Sequence, residues 1–232
     1  MGQRVLVVRH GEQKAEDRIV QWLGRAGFVV DIRKPFAGDA LGVPGPDLAG
    51  TVICGGMQNV YETDKHPSLK EEYRWIDACL KADVPMLGIC QGAQQIAYHL
   101  GAWAGARAEP VFEFGCHRVE PTPEAGDFMD GPLWVTQAHF HTFDLPEGAV
   151  RLARNDTYEN QAFRVGDKVF GTQYHPEAGP EVFKHWQADK DDFYSQPGQR
   201  SHAEDMALLY QHDAAQTEWL DGFLTKLFGA PR

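Results

Sequence analysis

A cysteine stands where an apolar run meets a helical run, in the segment Gly88-Ile89-Cys90-Gln91-Gly92. This G-x-C-x-G pattern is the cysteine form of the nucleophile elbow, a tight strand-to-helix turn that holds a reactive side chain in a strained conformation. The flanking glycines remove Cβ atoms that would collide there, and the helix N-terminus favours thiolate over thiol. The pattern predicts that Cys90 is a nucleophile and that the Gln91 N–H faces the oxyanion of a tetrahedral intermediate.

A thiolate nucleophile needs a base and a group that orients the base. His175 and Glu177 flank Pro176 at the end of a β-rich run. Residues two apart on an extended segment point to the same side, so Glu177 would reach the His175 imidazole and stabilise its cation. Taken alone, these residues favour a capping or core histidine beside a solvated glutamate. The elbow at Cys90 favours the catalytic interpretation.

A pair of glycines follows another predicted parallel strand, in Cys54-Gly55-Gly56-Met57. Open α/β sheets place their ligands at the edge formed by the carboxyl ends of the strands. Because Gly55 and Gly56 have no side chains, their backbone N–H groups could approach a substrate. A plain turn is the alternative interpretation of the pair.

The first strand runs into Arg9-His10-Gly11, which raises the hypothesis of a histidine phosphatase. Such chemistry needs a second histidine and further arginines that hold the phosphoryl group through charge-assisted hydrogen bonds. The chain contains no Ser-His-Gly and no arginine cluster near another predicted strand end. We therefore expect His10 in a loop near the rim of the site.

The predicted elements that must position these residues alternate along the chain. Strands are predicted over 4–8, 28–32, 51–56 and 84–89, and helices over 16–26, 68–82 (with Ser68 as N-cap) and 91–102. This rhythm indicates an α/β protein with a doubly wound, mostly parallel, flavodoxin-like central sheet. Residues 103–174 are richer in strand signals and predict antiparallel additions to that sheet. We predict one domain over 1–232, with a helical extension over about 180–232 that is broken at 195–200 and packs back on the domain.

Composition limits the kinds of partner that the protein can bind and indicates its cellular location. The net charge of −11 argues against nucleic acid, because phosphate backbones need basic surfaces. No apolar run approaches the roughly 20 residues of a membrane helix, and no signal peptide opens the chain. Four cysteines without a C-x-x-C pair argue against a zinc site, and we expect no metal or cofactor. These features predict reduced thiols and a cytoplasmic protein; Cys54, Cys79 and Cys116 are expected to be buried structural residues.

The three motifs, in this order, resemble the class I glutamine amidotransferase domain. Residues 88–94 look like the nucleophile motif of that family and residues 173–177 like its His-x-Glu motif, and the likeness covers nearly the whole chain. It is closest to stand-alone members related to the amidotransferase domain of GMP synthetase. The two main motifs together are highly specific for the family, whereas the glycine pair is not.

The resemblance implies a role for several residues. Cys90 would attack the side-chain amide of glutamine or a related γ-glutamyl substrate, and His175, oriented by Glu177, would protonate the leaving nitrogen and then activate water. The N–H groups of Gly56 and Gln91 would form the oxyanion hole. Gln94, one helical turn after Cys90, would help hold the amino-acid end of the substrate. No metal is implied.

The chain departs from the family pattern at two places. Met57 stands where the subgroup often has proline after the glycine pair. Residues 137–144 resemble a family segment that borders the amino-acid pocket; His139 matches its histidine, but His141 replaces an aspartate, which puts free glutamine in doubt as the substrate. Substrate contact by His139 and His141, and a polar loop without a role, both remain open.

The motifs do not choose among a glutaminase subunit, a stand-alone amidotransferase and a γ-glutamyl hydrolase. No P-loop-like glycine run follows the domain, so transfer of ammonia would need a separate synthetase partner. An alternative of another class is a non-hydrolytic thiol sensor or chaperone resembling the DJ-1 relatives, in which Cys90 would be the sensing thiol. Those relatives lack a His-Pro-Glu segment in this position, which favours hydrolysis.

Overall fold

A nine-stranded sheet forms the centre of the protein in a computed structural model that describes residues 2–12, 17–189 and 199–229. The strands are β1 Arg4–Val8, β2 Val29–Arg33, β3 Leu48–Ile53, β4 Met86–Ile89, β5 Ala104–Ala106, β6 Glu113–Pro121, β7 Leu133–His139, β8 His141–Phe143, β9 Val150–Arg154, β10 Ala162–Val165 and β11 Val169–Thr172. The α-helices among these described residues are α1 Arg18–Ala26, α2 Ser68–Lys81, α3 Gln91–His99, α4 Pro180–Asp189 and α5 His202–Phe228, and short 3-10 helices cover Pro35–Ala37 and Gly126–Phe128.

The strand order is β2-β1-β3-β4-β11-β10-β9-β6-β7. The five strands from β2 to β11 are parallel, and the four from β10 to β7 continue the sheet in antiparallel pairs. The remaining two strands, β5 and β8, form a separate antiparallel pair. The predicted doubly wound sheet with antiparallel additions is therefore confirmed.

Helices cover both faces of the parallel part of the sheet because its strands are apolar on both sides. Successive residues of a strand face opposite sides, so in β1 Val5 and Val7 pack into one core and Leu6 and Val8 into the other. The first core is closed by α1 and α5 and the second by α2 and α3. The predicted packing of the last helix is confirmed, since Leu220 and Leu224 of α5 are fully buried.

Helix ends differ from the predicted ones where local chemistry decides them. Helix α1 begins at Arg18 after an Asp17 cap and ends at Gly27, whose φ of 90° lies in the left-handed region; residue 16 is outside the described residues. Ser68 is not the N-cap of α2, because Pro67 precedes it in a helical conformation and the backbone carbonyls of the preceding turn accept the first N–H groups. Helix α3 ends at His99, two residues before Gly101.

Two further boundaries differ from those predicted. Strand β3 begins at Leu48, earlier than expected, because the segment from 48 to 50 pairs with β1 despite the glycine- and proline-rich stretch before it. The strand ends at Ile53, which leaves the glycine pair outside the sheet. In the C-terminal part, α4 and α5 lie within the predicted helical extension, while most of the expected break at 195–200 lies outside the described residues.

Candidate active site

Four chain segments meet at the edge where the parallel strands end. They follow β1 (His10), β3 (Gly55 and Gly56), β4 (Cys90) and β11 (His175). Because neighbouring parallel strands end at the same edge, residues separated by up to 165 positions become neighbours. The direction of winding also reverses between β1 and β3, which is where doubly wound sheets bind ligands.

Cys90 occupies a strained turn between β4 and α3. Its φ of 51° and ψ of −107° are unusual for a residue with a side chain. The turn is fixed by the backbone, since the Cys90 N–H donates to the Thr172 carbonyl at 2.7 Å. A Cβ on Gly92 would lie 2.0 Å from the Ile53 carbonyl oxygen, and one on Gly88 would lie 2.6 Å from the backbone of Gly92. Both glycines are thus required by close backbone approach, as the elbow motif predicts.

Polar side chains surround the Cys90 sulfur although only 6% of the residue is exposed. The Gln173 amide nitrogen lies 3.6 Å from Sγ. The Gln94 amide donates in turn to Oε1 of Gln173 at 3.1 Å, which orients the Gln173 side chain. The His175 ring lies near enough for the charges of the imidazole and the Cys90 sulfur to interact. The thiol therefore has an amide donor in Gln173 and a titratable imidazole nearby.

His175 lies between Cys90 and Glu177. Its Nδ1 is 2.7 Å from Oε1 of Glu177, and both side chains are buried. Burial alone would lower the pKa of His175, but the charges of Glu177 and Cys90 raise it to about 10. The indole of Trp186 on α4 packs edge-on against the imidazole, with ring centroids 4.8 Å apart. The imidazole is thus fixed by a carboxylate on one side and an aromatic ring on another.

The segment that carries His175 and Glu177 is a turn, which corrects the expected extended conformation. The Ala178 N–H donates back to the His175 carbonyl at 3.2 Å, so the chain reverses over these four residues. Strand β7 holds the turn, because the His175 N–H donates to the Thr136 carbonyl at 2.8 Å and the Thr136 hydroxyl to the Ala178 carbonyl at 2.8 Å. The amide of Gln216 on α5 supports it further.

The glycine pair lies against the other two segments. A Cβ on Gly55 would lie 2.5 Å from Cε1 of His175 and 3.5 Å from Cβ of Cys90. A Cβ on Gly56 would lie 2.4 Å from Oε1 of Gln91. Only residues without side chains leave room for this approach, so the glycine pair is more than a plain turn.

Two cavities meet at the glycine pair. A cavity of about 70 Å³ is lined by Cys90, Gln94, His139 and His141 among others. A second cavity of about 210 Å³ is lined by His175 and Glu177 and continues towards α4. Gly56, Met57 and Ala138 line both cavities. The cysteine and the imidazole thus face adjoining spaces that suit a small molecule.

His139 and His141 differ in what they offer to that space. Each belongs to a strand, so the polar-loop interpretation is wrong in its structural part. Both ring nitrogens of His139 are engaged within the protein, by the His141 carbonyl at 2.8 Å and by Glu113 at 2.9 Å. Burial lowers the pKa of the His141 imidazole, which is half-buried at the cavity wall, and so favours its neutral form. Of the two, His141 has the ring that faces the cavity with its nitrogens less committed to the protein.

The residues of the phosphatase hypothesis are engaged elsewhere. Arg9 forms a buried ion pair with Asp17. His10 lies in the loop after β1 and lines the larger cavity, as expected, but its side chain has no exposed surface. Its two ring nitrogens contact the Gly55 carbonyl and Glu72. With both nitrogens occupied, His10 is not placed to take up a phosphoryl group.

The other three cysteines are free thiols and buried, as expected. Burial raises the pKa of Cys54, Cys79 and Cys116 to about 12, so these side chains stay protonated. No group of three or more potential metal-ligating side chains occurs among the described residues. Within the same residues, no helix has both the length and the apolar character to cross a membrane.

Sequence patterns did not identify several residues of the site. Gln173 stands two positions before His175, so alternation along the strand end could have identified it. Thr136, Trp186 and Gln216 lie on β7, α4 and α5, and their contacts depend on how these elements pack. A single sequence contains no local signal for such contacts.

Fold and site together define a class: doubly wound α/β proteins that hold a cysteine at a strand–helix turn beside a histidine–glutamate pair. The glutamine amidotransferase class-I family model matches residues 15–190, and the chain belongs to this family. A solved glutamine amidotransferase from Thermotoga maritima is 30% identical, with a TM-score of 0.88 over 97% of this chain and 98% of that one. A glutamine amidotransferase from Methylobacillus flagellatus, 20% identical with a TM-score of 0.89, shares the fold over 99% of this chain and 96% of its own.

Curated relatives include GMP synthases described as glutamine-hydrolyzing. The enzyme of Aeropyrum pernix is 32% identical over 193 residues, which are 78% of this chain and 35% of the relative. The enzyme of Helicobacter pylori is 28% identical over 178 residues, 75% of this chain and 32% of the relative. The chain therefore spans about a third of the length of the curated relatives it matches.

Proposed function

We propose that this protein hydrolyses the γ-amide of glutamine or of a γ-glutamyl compound through Cys90, His175 and Glu177. The observation that carries the proposal is the position of His175, whose ring lies beside Gly55 together with Cys90 and contacts Glu177 through Nδ1 at 2.7 Å. Family membership supports the same chemistry, because other members are named for the use of glutamine.

The first half of the reaction forms a thioester. The Cys90 thiolate attacks the γ-carbonyl carbon, and the oxyanion that forms is held by the N–H groups of Gly56 and Gln91. His175 then protonates the nitrogen as the carbon–nitrogen bond breaks, so that ammonia or an amine leaves and a γ-glutamyl thioester remains. The pKa of His175, raised to about 10, makes the imidazolium available as this acid at neutral pH.

The second half releases glutamate. His175, neutral after it has given up its proton, takes a proton from water, and the hydroxide attacks the thioester carbonyl. The carbon–sulfur bond breaks, glutamate leaves and the thiolate–imidazolium pair is restored. Glu177 keeps the imidazole in one tautomer throughout both steps. No redox step and no cofactor enter this sequence.

Substrate contacts follow from the lining of the smaller cavity. Gly56, Gln94 and His141 line this cavity beside Cys90, and Gly55, which lies against Cys90 and His175, supplies further backbone close to the scissile amide. His139 acts through its fixed position between Glu113 and the His141 carbonyl. We propose that His141, which replaces the usual carboxylate of this segment, shifts preference from free glutamine towards other γ-glutamyl donors.

A partner is required only if ammonia is used in a synthesis. GMP synthases that match this chain are about three times as long as the matched segment, so their remaining length lies outside the similarity. By analogy we propose a separate synthetase subunit as acceptor of ammonia when glutamine is the donor, and a cytoplasmic location where such small molecules occur.

Glutamate release tests the proposal. Wild type and Cys90→Ala are incubated with glutamine and with γ-glutamyl dipeptides, and released glutamate is measured. We expect turnover by wild type and a loss of at least about 10³-fold in Cys90→Ala, with an acyl-enzyme detected by mass as one added γ-glutamyl group.

The matched control is Cys116→Ala, a buried thiol remote from the cavities, which should keep wild-type turnover. Wild type that releases no glutamate from any donor contradicts the proposal. Reversible oxidation of Cys90 without turnover would favour the thiol-sensor alternative.

A further inference from the structure

A buried histidine–glutamate pair lies directly behind the glycine turn. His10 Nε2 is 2.7 Å from Oε2 of Glu72, and neither side chain has exposed surface. His10 Nδ1 is 3.2 Å from the Gly55 carbonyl oxygen. On the far side, the Gln95 amide donates to the same Glu72 oxygen at 2.5 Å. The chain of contacts runs from α3 through α2 and His10 to the glycine turn.

The position of Glu72 is costly for a merely structural residue. It lies on the buried face of α2, among Leu69, Trp75 and Ile76. Taking a carboxylate out of water costs several kcal/mol, and an apolar side chain would fill such a position without that cost. One Glu72 oxygen also has no hydrogen-bond partner among the described residues. The arrangement therefore suggests a function other than packing.

Hydrogen-bond accounting shows that the pair locks the ring of His10. The Gly55 carbonyl only accepts, so Nδ1 must carry a hydrogen and donate it. The short contact between Nε2 and Glu72 needs a second proton, on the ring or on the carboxylate. Any rotation of the imidazole would break both contacts, so the Gly55 carbonyl is held in one direction.

The peptide bond between Gly55 and Gly56 links the direction of the Gly55 carbonyl to the direction of the Gly56 N–H. This peptide is trans, as are the other described peptide bonds, and in a trans peptide the C=O and the next N–H point in opposite directions. Fixing the Gly55 carbonyl towards His10 turns the Gly56 N–H away from it. Gly56 lines the cavity that contains Cys90.

We propose that His10 and Glu72 are positioning residues that aim and polarise the Gly56 N–H as an oxyanion donor. This inference rests on the proposed function, because it assigns the pair to the acylation step of that reaction. A hydrogen bond to the carbonyl of a peptide strengthens the donor at its N–H through cooperative polarisation. The Arg9-His10-Gly11 segment thus serves the amidase site instead of forming a phosphatase site.

An oxyanion donor acts mainly in the transition state, so its loss lowers kcat and leaves KM nearly unchanged. In His10→Leu and Glu72→Leu we expect kcat for glutamate release to fall about 10²-fold, the effect of losing one such donor, with KM within threefold. Glu72→Gln keeps a side chain that can hydrogen-bond Nε2, as acceptor or as donor, and should recover most of the lost kcat. Alkylation of Cys90 by iodoacetamide needs the thiolate but no oxyanion donor, and its rate should stay within twofold of wild type.

Thr51→Val is the matched control for the loss of buried hydrogen bonds. The Thr51 hydroxyl lies on β3, donates to the Leu6 carbonyl and accepts from Trp75, each at 3.0 Å. We expect this variant to lower the melting temperature and to keep wild-type kcat. If the pair were only structural, the leucine variants would lose alkylation rate and kcat together, or a folded leucine variant would lose neither.

The outcomes separate this inference from the proposed function. If His10→Leu and Glu72→Leu both turn over donor at the wild-type rate, the inference is contradicted and the proposed function is unaffected. If the rate of Cys90 alkylation falls together with kcat, the inference is also contradicted, because the substitution has then damaged the whole site. If wild-type Cys90 is alkylated normally but the protein turns over no donor, both the proposed function and the inference that rests on it are contradicted.

Discussion

At the scale of single residues, the site depends on glycines whose missing side chains make room for backbone. Gly92 lies under β3, where a Cβ would be 2.0 Å from the Ile53 carbonyl oxygen. That oxygen belongs to the sheet and has no freedom to move aside. Gly24, in the last turn of α1, is open by contrast, because a Cβ added there would meet nothing within 4 Å beyond its chain neighbours and the backbone of its own helix.

This contrast gives a prediction on stability. Gly92→Ala should lower the free energy of unfolding by about 1–3 kcal/mol, because the overpacked turn must shift. Gly24→Ala should raise it by about 0.5–1 kcal/mol, because alanine loses less backbone entropy in a helix. Urea unfolding followed by circular dichroism measures both. Equal effects of the two substitutions would contradict the close approach at the elbow.

The charge on His175 predicts how stability depends on pH. Its pKa is raised from 6.5 to about 10 in the folded protein, so between these values the folded state binds more protons than the unfolded state. The stabilisation from His175 should be complete below pH 6.5 and be lost as pH rises towards 10. The difference in unfolding free energy between wild type and His175→Gln should therefore shrink from pH 7 to pH 10.

His202→Gln, at an exposed position of α5, is the control for this pH series. A difference between wild type and His175→Gln that stays constant from pH 7 to pH 10 would mean that the folded imidazole is not held protonated. A ring titration of His175 by NMR, repeated in Glu177→Gln, would show the same effect directly as a fall of its pKa.

Residues in local motifs were the ones that sequence alone could identify. Cys90 is marked by its neighbouring glycines, and His175 and Glu177 are two positions apart, so short patterns contain them. His10 and Glu72 are 62 positions apart, and nothing in either neighbourhood refers to the other. Their contact exists only because β1 and α2 pack at the same sheet edge.

At the scale of elements, α5 fixes the turn that carries the histidine and the glutamate. Gln216 accepts the Thr136 N–H at 2.9 Å through its side-chain oxygen, while its amide nitrogen faces the Pro176 and Ala178 carbonyls at 3.4 and 3.5 Å. One buried side chain thus links β7 to the turn. A helix remote in sequence from the site therefore determines where the imidazole points.

Replacing Gln216 should affect both stability and turnover. Gln216→Leu leaves buried backbone groups unsatisfied, so we expect a loss of about 1–3 kcal/mol in unfolding free energy. The loosened turn should also lower kcat for glutamate release about tenfold, because a small displacement of His175 from the reacting atoms slows catalysis. Gln211→Leu makes the same change at an exposed position of α5 and should do neither. Unchanged turnover in a less stable Gln216→Leu would limit the helix to a purely structural role.

Element types were easier to predict than their boundaries. Apolar runs bounded by glycine identified β1 and β4, and the helical spacing of apolar residues identified α1, α2 and α5. The start of β3 at Leu48 and the start of α2 after Pro67 depend on pairing with β1 and on the conformation of the preceding turn. Such boundaries follow from tertiary contacts, which local propensity does not contain.

At the scale of the whole molecule, the order of strands brings the site together. Chain order alone suggests a parallel sheet, but not that β11 is inserted beside β4, which puts His175 next to Cys90. The family resemblance supplied that information in advance of the structure. Physical reasoning from one sequence would have left the partner of β4 undetermined.

The folded unit is expected to extend along the chain beyond the segment that the family model matches. The family model ends at residue 190, yet α5, which lies beyond it, closes one of the two main cores. Its residues Leu220, Leu224 and Phe228 pack with Trp22 of α1 and with the strands beneath. Removing α5 would expose that apolar surface and delete Gln216, so the loss should reach the active site as well as the core.

A chain shortened to residues 1–200 should therefore lose cooperative unfolding, bind a hydrophobic dye and release no glutamate. The point substitution Leu224→Ala tests the same contact in the full chain and should cost about 2–5 kcal/mol of unfolding free energy, because it leaves a cavity under the helix. Tyr210→Ser, on the exposed part of the same helix, is the control and should change stability by less than about 0.5 kcal/mol. Cooperative unfolding of the shortened chain would show that α5 is an addition to a complete domain, because a core that needs the helix cannot form a single folded state without it.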